Sequence, residues 1–254
     1  MRTIIEGRAQ GIVMALAAIV AAGAVAVAAA GQGDWKELTG PGGLDAWKKP
    51  TGAWEVVGGV RTDPKDPTGL VAEPGTGVIY NGPRKRTSNL VTRESFGDVE
   101  VHAEFLIPKG SNSGIKLEGA YEVQILDSYG KATVKASDCG GIYPRAELLP
   151  KYHYLDDGFP PRVNAAKPAG EWQTLDITFR APRFDARGKK TADARFEKVV
   201  LNGRVVQEDV AVPTPTGHAW HDKESPTGPI LLQADHGPVA FRNLRVRPLP
   251  ASSR

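Results

Sequence analysis

The feature that most constrains this chain is the alternation of apolar and polar residues with a period of two, in short segments. Val99, Val101 and Ala103 alternate with Glu100 and His102, for example. Because successive side chains of a strand point to opposite faces, this pattern predicts a half-buried strand with a polar outer face. The 29 glycines and 20 prolines among 254 residues provide the turns that short strands need. The pattern therefore favours an all-β protein.

Similar segments recur along residues 35–249, and no linker of biased composition interrupts them. Leu175, Ile177 and Phe179 alternate in the same way. Asn202-Gly203 separates two apolar runs, and an Asn-Gly pair accepts the positive φ angles of a tight hairpin turn. These segments predict one domain in residues 31–254, built as an antiparallel β-sandwich of two sheets packed face to face.

The N-terminus has a different character. Residues 11–31 carry no charge, Arg2 and Arg8 precede them, and Ala26-Val27-Ala28 has the small residues of a cleavage site. Residues 1–30 are therefore interpreted as a signal peptide, which predicts an exported protein, periplasmic or secreted. An uncleaved membrane anchor is the alternative, because about twenty apolar residues can span a bilayer, and only then would the chain contact a membrane.

Charge and cysteine content exclude several functions. The formal net charge is +3, without a block of like charges, so a nucleic-acid partner is not expected. Cys139 is the single cysteine, which excludes an intramolecular disulfide and a cysteine-based zinc site. It is expected to be a small buried thiol. A carboxylate and imidazole site for a harder cation stays open.

Residues 128–171 form an interval too long for a plain connection between strands. Long loops in compact domains are usually functional or disordered. The aromatic content of this one favours an ordered segment folded over one face of the domain. Its aromatic residues are Tyr129, Tyr143, Tyr152, His153, Tyr154 and Phe159.

Two segments carry residues suited to chemistry. Tyr121, Val123 and Ile125 alternate with Glu122 and Gln124, so the carboxylate and the amide project from the same strand face. Lys116, on the preceding predicted strand, can share that surface. A solvated strand face without a function explains the same pattern.

The second segment is an apolar strand that ends in Gln233, Asp235 and His236. Histidine is the side chain best suited to proton transfer near neutral pH, and it is also a common metal ligand. The other four histidines lack such a context and are weaker candidates: His102, His153, His218 and His221.

Several short motifs occur in a fixed order along the chain. They are Asn112-Ser113-Gly114-Ile115, Tyr121-Glu122-Val123-Gln124-Ile125-Leu126-Asp127, Gly141-Ile142-Tyr143, Gly170-Glu171-Trp172, Leu201-Asn202-Gly203, Gly228-Pro229-Ile230-Leu231-Leu232-Gln233, His236-Gly237 and Phe241-Arg242-Asn243. Together they resemble the 3-keto-disaccharide hydrolase family. The resemblance implies a concanavalin A-like lectin/glucanase jelly roll, whose concave face holds a saccharide. Lys116, Gln173 and the Ala234-Asp235 pair depart from the usual family pattern.

Members of this family are thought to act on glycosides whose C3 hydroxyl has been oxidised to a ketone. The ketone makes the C2 proton acidic, and a base removes it. The C1 substituent is then expelled, and water adds back. No nicotinamide is expected, and the chain has no glycine-rich dinucleotide fingerprint.

The resemblance, together with this chemistry, assigns roles to individual residues. Glu122 or His236 is the base, and the other is the acid or a ligand. Asn112, Lys116, Gln124 and Gln233 bind the sugar or stabilise the enolate, while Tyr143 and Trp172 stack on a pyranose ring. A divalent cation held by Glu122, His236 and a further carboxylate is the alternative means of polarising the ketone.

Two other functions compete with this one. A retaining glycosidase on the same fold needs two carboxyl groups about 5 to 5.5 Å apart, and the sequence offers Glu122 and Asp127, with Gln124 between them. A carbohydrate-binding module without catalysis is the second, because a concave sandwich face with aromatic residues binds sugars without reacting.

Overall fold

Strands make up the regular secondary structure of the chain in the computed structural model, which describes residues 34–40, 42–48, 52–84, 87–219 and 223–250. Within these ranges no helix forms, and so none that could cross a membrane. The predicted N-terminal signal or anchor in residues 1–30 lies outside the described residues. The strands are β1 (Lys36–Glu37), β2 (Glu55–Asp63), β3 (Asp66–Tyr80), β4 (Leu90–Phe96), β5 (Val99–Leu106), β6 (Asn112–Leu117), β7 (Tyr121–Leu126), β8 (Ala146–Glu147), β9 (His153–Tyr154), β10 (Gln173–Arg180), β11 (Arg183–Phe184), β12 (Lys190–Ala192), β13 (Ala194–Leu201), β14 (Arg204–Val212), β15 (Gly228–Leu232) and β16 (Ala240–Pro248).

Two antiparallel sheets form the body of the domain. The eight-stranded sheet has the order β14-β13-β10-β5-β16-β3-β2, and β1 also pairs with β16. The four-stranded sheet has the order β4-β15-β6-β7. Two short hairpins, β8-β9 and β11-β12, complete the described part of the chain. Strands that are distant in sequence pair in both sheets, as in a jelly roll, so the predicted all-β sandwich of the concanavalin A-like type is confirmed.

The core lies between the two sheets and follows the alternation seen in the sequence. Val101, Ala103 and Phe105 of β5 point into it from the larger sheet. Val123 and Ile125 of β7 do so from the smaller sheet. Since adjacent residues of a strand face opposite ways, the polar residues of β6 and β7 lie on the outer face of the four-stranded sheet.

The predicted hairpin turn is also present. Asn202 and Gly203 connect β13 to β14 with φ angles of 51° and 77°. Both residues are in the left-handed region that a two-residue turn of this kind requires.

Residues 128–171 form an ordered segment on the side of β7, as predicted. Gln124 N donates to Gly141 O (2.9 Å), and Gly140 N donates to Gln124 O (2.8 Å). Ile142 forms isolated bridges with Val123 and Phe159. The segment thus continues from the edge of the four-stranded sheet, and its hairpin β8-β9 rises beside the outer face. Cys139, within it, is a buried thiol as expected, and burial raises its pKa to about 12.

Candidate functional site

A cleft of ≈ 630 Å³ opens on the outer face of the four-stranded sheet. Its floor comes from β6, β7 and β15, and its walls come from the 128–171 segment and the connections that flank β15. The residues that line it are Asn89, Asn112, Lys116, Glu122, Gln124, Tyr143, Tyr152, Tyr154, Gly217, His218, Ala219, Leu231, Gln233, Asp235 and His236. The predicted site residues therefore converge on one hollow, with the exception of Trp172.

The central feature of the floor is an ion pair between Lys116 and Glu122. The two residues are directly opposed across the β6-β7 pair, and Lys116 Nζ lies 3.1 Å from Glu122 Oε2. The side chains are only 4% and 3% exposed. Lys116 Nζ also donates to His218 O at 2.8 Å. Of the three N–H donors of the ammonium, these described partners use two, which leaves one for an oxygen of a bound molecule.

Two glycines make room for the Glu122 carboxylate. A Cβ at Gly114 would lie 2.3 Å from Glu122 Oε1. A Cβ at Gly217 would lie 3.5 Å from Glu122 Oε2 and 3.1 Å from the ring of Tyr143, and Gly217 has a φ of 50°. The backbone of the neighbouring strand and loop thus determines where the carboxylate lies, because any side chain at position 114 would displace it.

Amide side chains cover the remainder of the floor. Gln124 Nε2 donates to Asn112 Oδ1 at 2.9 Å, which fixes both amides. Gln233 N donates to Gly114 O, so Gln233 lies beside β6. Gln233 Oε1 is buried and has no hydrogen-bond partner among the described residues. Since an unpaired buried acceptor is costly, this oxygen is suited to accept a hydrogen bond from a ligand hydroxyl.

Three tyrosines form one wall of the cleft. The hydroxyls of Tyr143 and Tyr154 are 2.7 Å apart, and their rings meet edge to face. Tyr152 packs edge to face on Tyr154, with ring centroids 5.4 Å apart. The pKa values of Tyr143 and Tyr152 are raised well above the usual value for tyrosine. Burial is the main cause, and the hydrogen bond with Tyr154 is the second. These phenols therefore stay protonated and present neutral hydroxyls to the cleft.

Asp235 and His236 form a dyad at the rim of the cleft, in the connection that follows β15. His236 Nδ1 lies 2.7 Å from Asp235 Oδ1, and both side chains are about half exposed, at 48% and 51%. A carboxylate on one ring nitrogen orients the imidazole and leaves the other nitrogen for a ligand. The dyad is about half exposed, whereas the Lys116–Glu122 pair is almost fully buried at the floor of the cleft.

The structure corrects the prediction for Trp172. This residue does not line the cleft; it precedes β10 of the larger sheet, and the guanidinium of Arg242 lies 4.1 Å from its ring centroid. The ring also packs against an apolar cluster around β2 and β3. A role in stacking on a sugar in the cleft is therefore not supported.

A metal site built on Glu122 and His236 does not fit the arrangement. Among the described residues, no group of three or more histidine, cysteine, aspartate or glutamate side chains is placed to hold an ion. The ammonium of Lys116 occupies the position beside Glu122 that a cation would take. His236 is already paired with the carboxylate of Asp235.

The retaining-glycosidase alternative needs Asp127 as the second carboxylate in the cleft, and the structure does not place it there. Asp127 follows β7, accepts a hydrogen bond from Gly110 N at 2.9 Å, and does not line the cleft. Glu122 and Asp127 are therefore not a catalytic pair of one cleft.

Several residues of the cleft were not predicted from the sequence. His218, a weaker candidate by sequence, contributes its carbonyl oxygen to Lys116. Asn89 lines the cleft and accepts a hydrogen bond from Ala234 N, which fixes the start of the dyad loop. Tyr152 and Tyr154 belong to the segment expected to cover one face, and that aromatic content was the signal that could have identified them.

Comparison with known proteins shows the family of the chain. The profile of the 3-keto-alpha-glucoside-1,2-lyase-like domain matches residues 34–247. A solved structure of a candidate glycosyl hydrolase from Parabacteroides distasonis is 30% identical, with a TM-score of 0.54 over 78% of this chain and 79% of that chain. A second candidate glycosyl hydrolase from that organism is 17% identical, with a TM-score of 0.52 over 85% of this chain and 94% of that chain, and shows the fold alone. No protein in the curated set matches significantly. Because the profile spans nearly all of the described residues, this chain belongs to the 3-keto-alpha-glucoside-1,2-lyase-like domain family.

Proposed function

We propose that the protein cleaves 3-keto-glycosides by removing the C2 proton, expelling the C1 substituent and adding water. The observation that carries this proposal is the buried Lys116–Glu122 pair at the floor of the cleft. The reaction needs a base at C2 and a positive group at the oxygen on C3, which is the adjacent carbon. A carboxylate oxygen and an ammonium nitrogen 3.1 Å apart match that requirement.

In the first step, the Glu122 carboxylate accepts the C2 proton, and the electron pair of the C–H bond forms an enolate across C2 and C3. The ammonium of Lys116 donates a hydrogen bond to the developing oxyanion on C3. The enolate then reforms the ketone, a double bond forms between C1 and C2, and the bond from C1 to the aglycone oxygen breaks with its electron pair.

The Asp235–His236 dyad supplies the second proton transfer in this proposal. The imidazolium of His236 protonates the departing aglycone oxygen, and the neutral imidazole then activates the incoming water. Water adds its hydroxyl to C1, and Glu122 returns a proton to C2, which gives the free 3-keto sugar. The exposed rim suits this role, since water reaches the imidazole there.

The other cleft residues bind the sugar. Gln233 Oε1 accepts from a ring hydroxyl, and the Asn112–Gln124 amide pair provides further donors and acceptors. Tyr143 and Tyr154 offer hydroxyls and ring faces to the pyranose. In a site of this kind, positioning contributes as much as proton transfer.

The test uses the full-length protein and a 3-keto-glucoside, with release of the aglycone as the readout. We expect turnover by the wild type, and a fall in kcat of about 10²- to 10⁴-fold in Glu122→Gln. Glu73→Gln, at an exposed glutamate on β3, is the matched control and should react like the wild type.

A chelator arm accompanies this test, because the arrangement of residues predicts no loss of activity on chelation. Wild-type activity in Glu122→Gln would overturn the assignment of the base. Tight sugar binding by the wild type without any product would overturn the enzyme proposal in favour of a carbohydrate-binding module.

A further inference from the structure

A second concavity of ≈ 550 Å³, which we call the leucine groove, lies directly beside the cleft. Its lining includes three leucines, of which Leu149 is 79% and Leu155 is 38% exposed. Single exposed leucines are ordinary on a protein surface, and a concave group of them beside a polar cleft is a candidate surface for an apolar group. The main lining residues are Ala146, Leu148, Leu149, Leu155, Pro215 and Ala219.

The leucine groove is continuous with the cleft, because Gly217 and Ala219 line both. Apart from this shared edge at residues 217–219, the hairpin β8-β9 lies between the two cavities. Tyr154 of β9 faces the cleft, and its neighbour Leu155 faces the groove. One short hairpin therefore separates a polar cavity from an apolar one.

The wall of the leucine groove is held by hydrogen bonds. Arg145 donates to the Asp156 carboxylate from its backbone N (2.9 Å) and from Nε (2.7 Å). Arg145 Nη1 donates to Thr214 Oγ1 at 3.2 Å, and Leu155 N donates to Arg145 O at 2.8 Å. These bonds fix the hairpin to the 214–216 segment, so the groove is a formed part of the domain.

The two cavities differ in the chemistry that they offer. The cleft is lined by a lysine, two acidic residues, two histidines, three tyrosines and several amide side chains. The leucine groove presents Glu147 as its only charged side chain among the described lining residues, and its walls are otherwise largely aliphatic. A sugar ring needs many hydrogen-bond partners, of which the groove offers only the side chains of Glu147 and Thr214 among its described lining residues, whereas an apolar group gains free energy by leaving water there.

We propose that the leucine groove is the aglycone subsite and selects glycosides whose C1 substituent is an apolar group. This proposal rests on the proposed function, since the pyranose must occupy the cleft for its C1 substituent to reach the groove. A substrate of this class places its polar sugar over Lys116 and Glu122 and its apolar aglycone against Leu149 and Leu155.

The test compares methyl and cyclohexylmethyl 3-keto-glucosides, as both anomers, with the full-length protein. The two leaving groups are primary alcohols, so the comparison isolates contact with the aglycone. We expect kcat/KM to be about tenfold or more higher for the cyclohexylmethyl substrate. In Leu149→Ser/Leu155→Ser the ratio should fall to about one. Val205→Ser, at an exposed valine on β14 outside the groove, should keep the wild-type ratio.

A binding arm separates failure of this proposal from failure of the proposed function. Calorimetry with the unoxidised methyl and cyclohexylmethyl glucosides gives the ratio of Kd values without turnover. If neither keto substrate reacts, the proposed function is overturned. The ratio of the two Kd values then shows by itself whether the leucine groove binds the apolar aglycone. Equal values for the two aglycones in the wild type, or a preference that survives in the double variant, would overturn the subsite.

Discussion

Lys116 Nζ lies 3.1 Å from Glu122 Oε2, across the β6-β7 pair, and both side chains are almost fully buried. Desolvation of two charges is expensive, and an apolar pair of similar size is often as stable or more stable. The stability of the fold therefore does not account for this pair. Under the proposed function, its position at the floor of a polar cleft is explained, because that reaction needs both charges in one place.

Lys116→Met should destabilise the protein by about 3 to 5 kcal/mol, because the Glu122 carboxylate is left buried without its cation. Glu122→Leu should have a similar effect through the ammonium of Lys116. The double variant should be considerably less destabilised than the sum of the two single variants. Urea unfolding of the four proteins measures this coupling, and strictly additive free energies would show that the two charges do not interact.

Gly114→Ala should lower kcat by about tenfold or more without unfolding the protein. The added Cβ would lie 2.3 Å from Glu122 Oε1, at the end of a flexible side chain, so the carboxylate moves and the strand stays in place. Gly40→Ala is the control, since among the described residues a Cβ there would meet only Glu37 Cβ, at 3.4 Å. Kinetics with a 3-keto-glucoside measure the change in kcat of both variants, and thermal melting checks that both remain folded. An active Gly114→Ala would mean that the exact position of Glu122 is unimportant.

His236→Ala should reduce kcat by about 10²-fold, and added imidazole should restore part of the activity. The side chain is 48% exposed, so its removal leaves a space that a small molecule can enter, with Asp235 still present to orient it. His153→Ala, at a histidine that is 49% exposed on β9, is the control and should need no rescue. A fall in activity that imidazole does not reverse would assign His236 a structural role only.

The local pattern of the sequence predicted the floor of the site. Alternation in β7 placed Glu122 and Gln124 on one face, and the strand before it brought Lys116 to the same surface. His236 follows the apolar strand β15, which pairs with β6, and so it reaches the same hollow. These predictions succeeded because period-two alternation decides which face a residue occupies.

The features that the sequence did not predict correctly depend on contacts between segments that are distant in sequence. Trp172 stands beside β10, and nothing in its local pattern says that β10 belongs to the larger sheet. His218 acts through its carbonyl oxygen, which any residue would supply at that position. The leucine groove arises where the β8-β9 hairpin meets the 214–216 segment, and this contact has no local signature.

The stability of the protein should fall as the pH rises from about 4.5 to about 8 through the contribution of Glu118. Burial, with the charges of Glu224 and Asp98, raises the pKa of this carboxyl from 4.5 to about 8. Between these values the folded protein holds a proton that the unfolded chain has released. The stabilisation is therefore fully present below pH 4.5 and is lost as the pH rises through the folded pKa.

Glu118→Gln isolates this contribution, because glutamine has the shape of the protonated acid and does not titrate. We expect the free energy of unfolding of the variant to fall less steeply than that of the wild type over the same pH range. Glu73→Gln, at the exposed glutamate of β3, should follow the wild-type curve. Urea unfolding at four or more pH values gives the two slopes. Parallel curves for the wild type and Glu118→Gln would show that the turn between β6 and β7 admits the charged carboxylate as readily as the neutral acid.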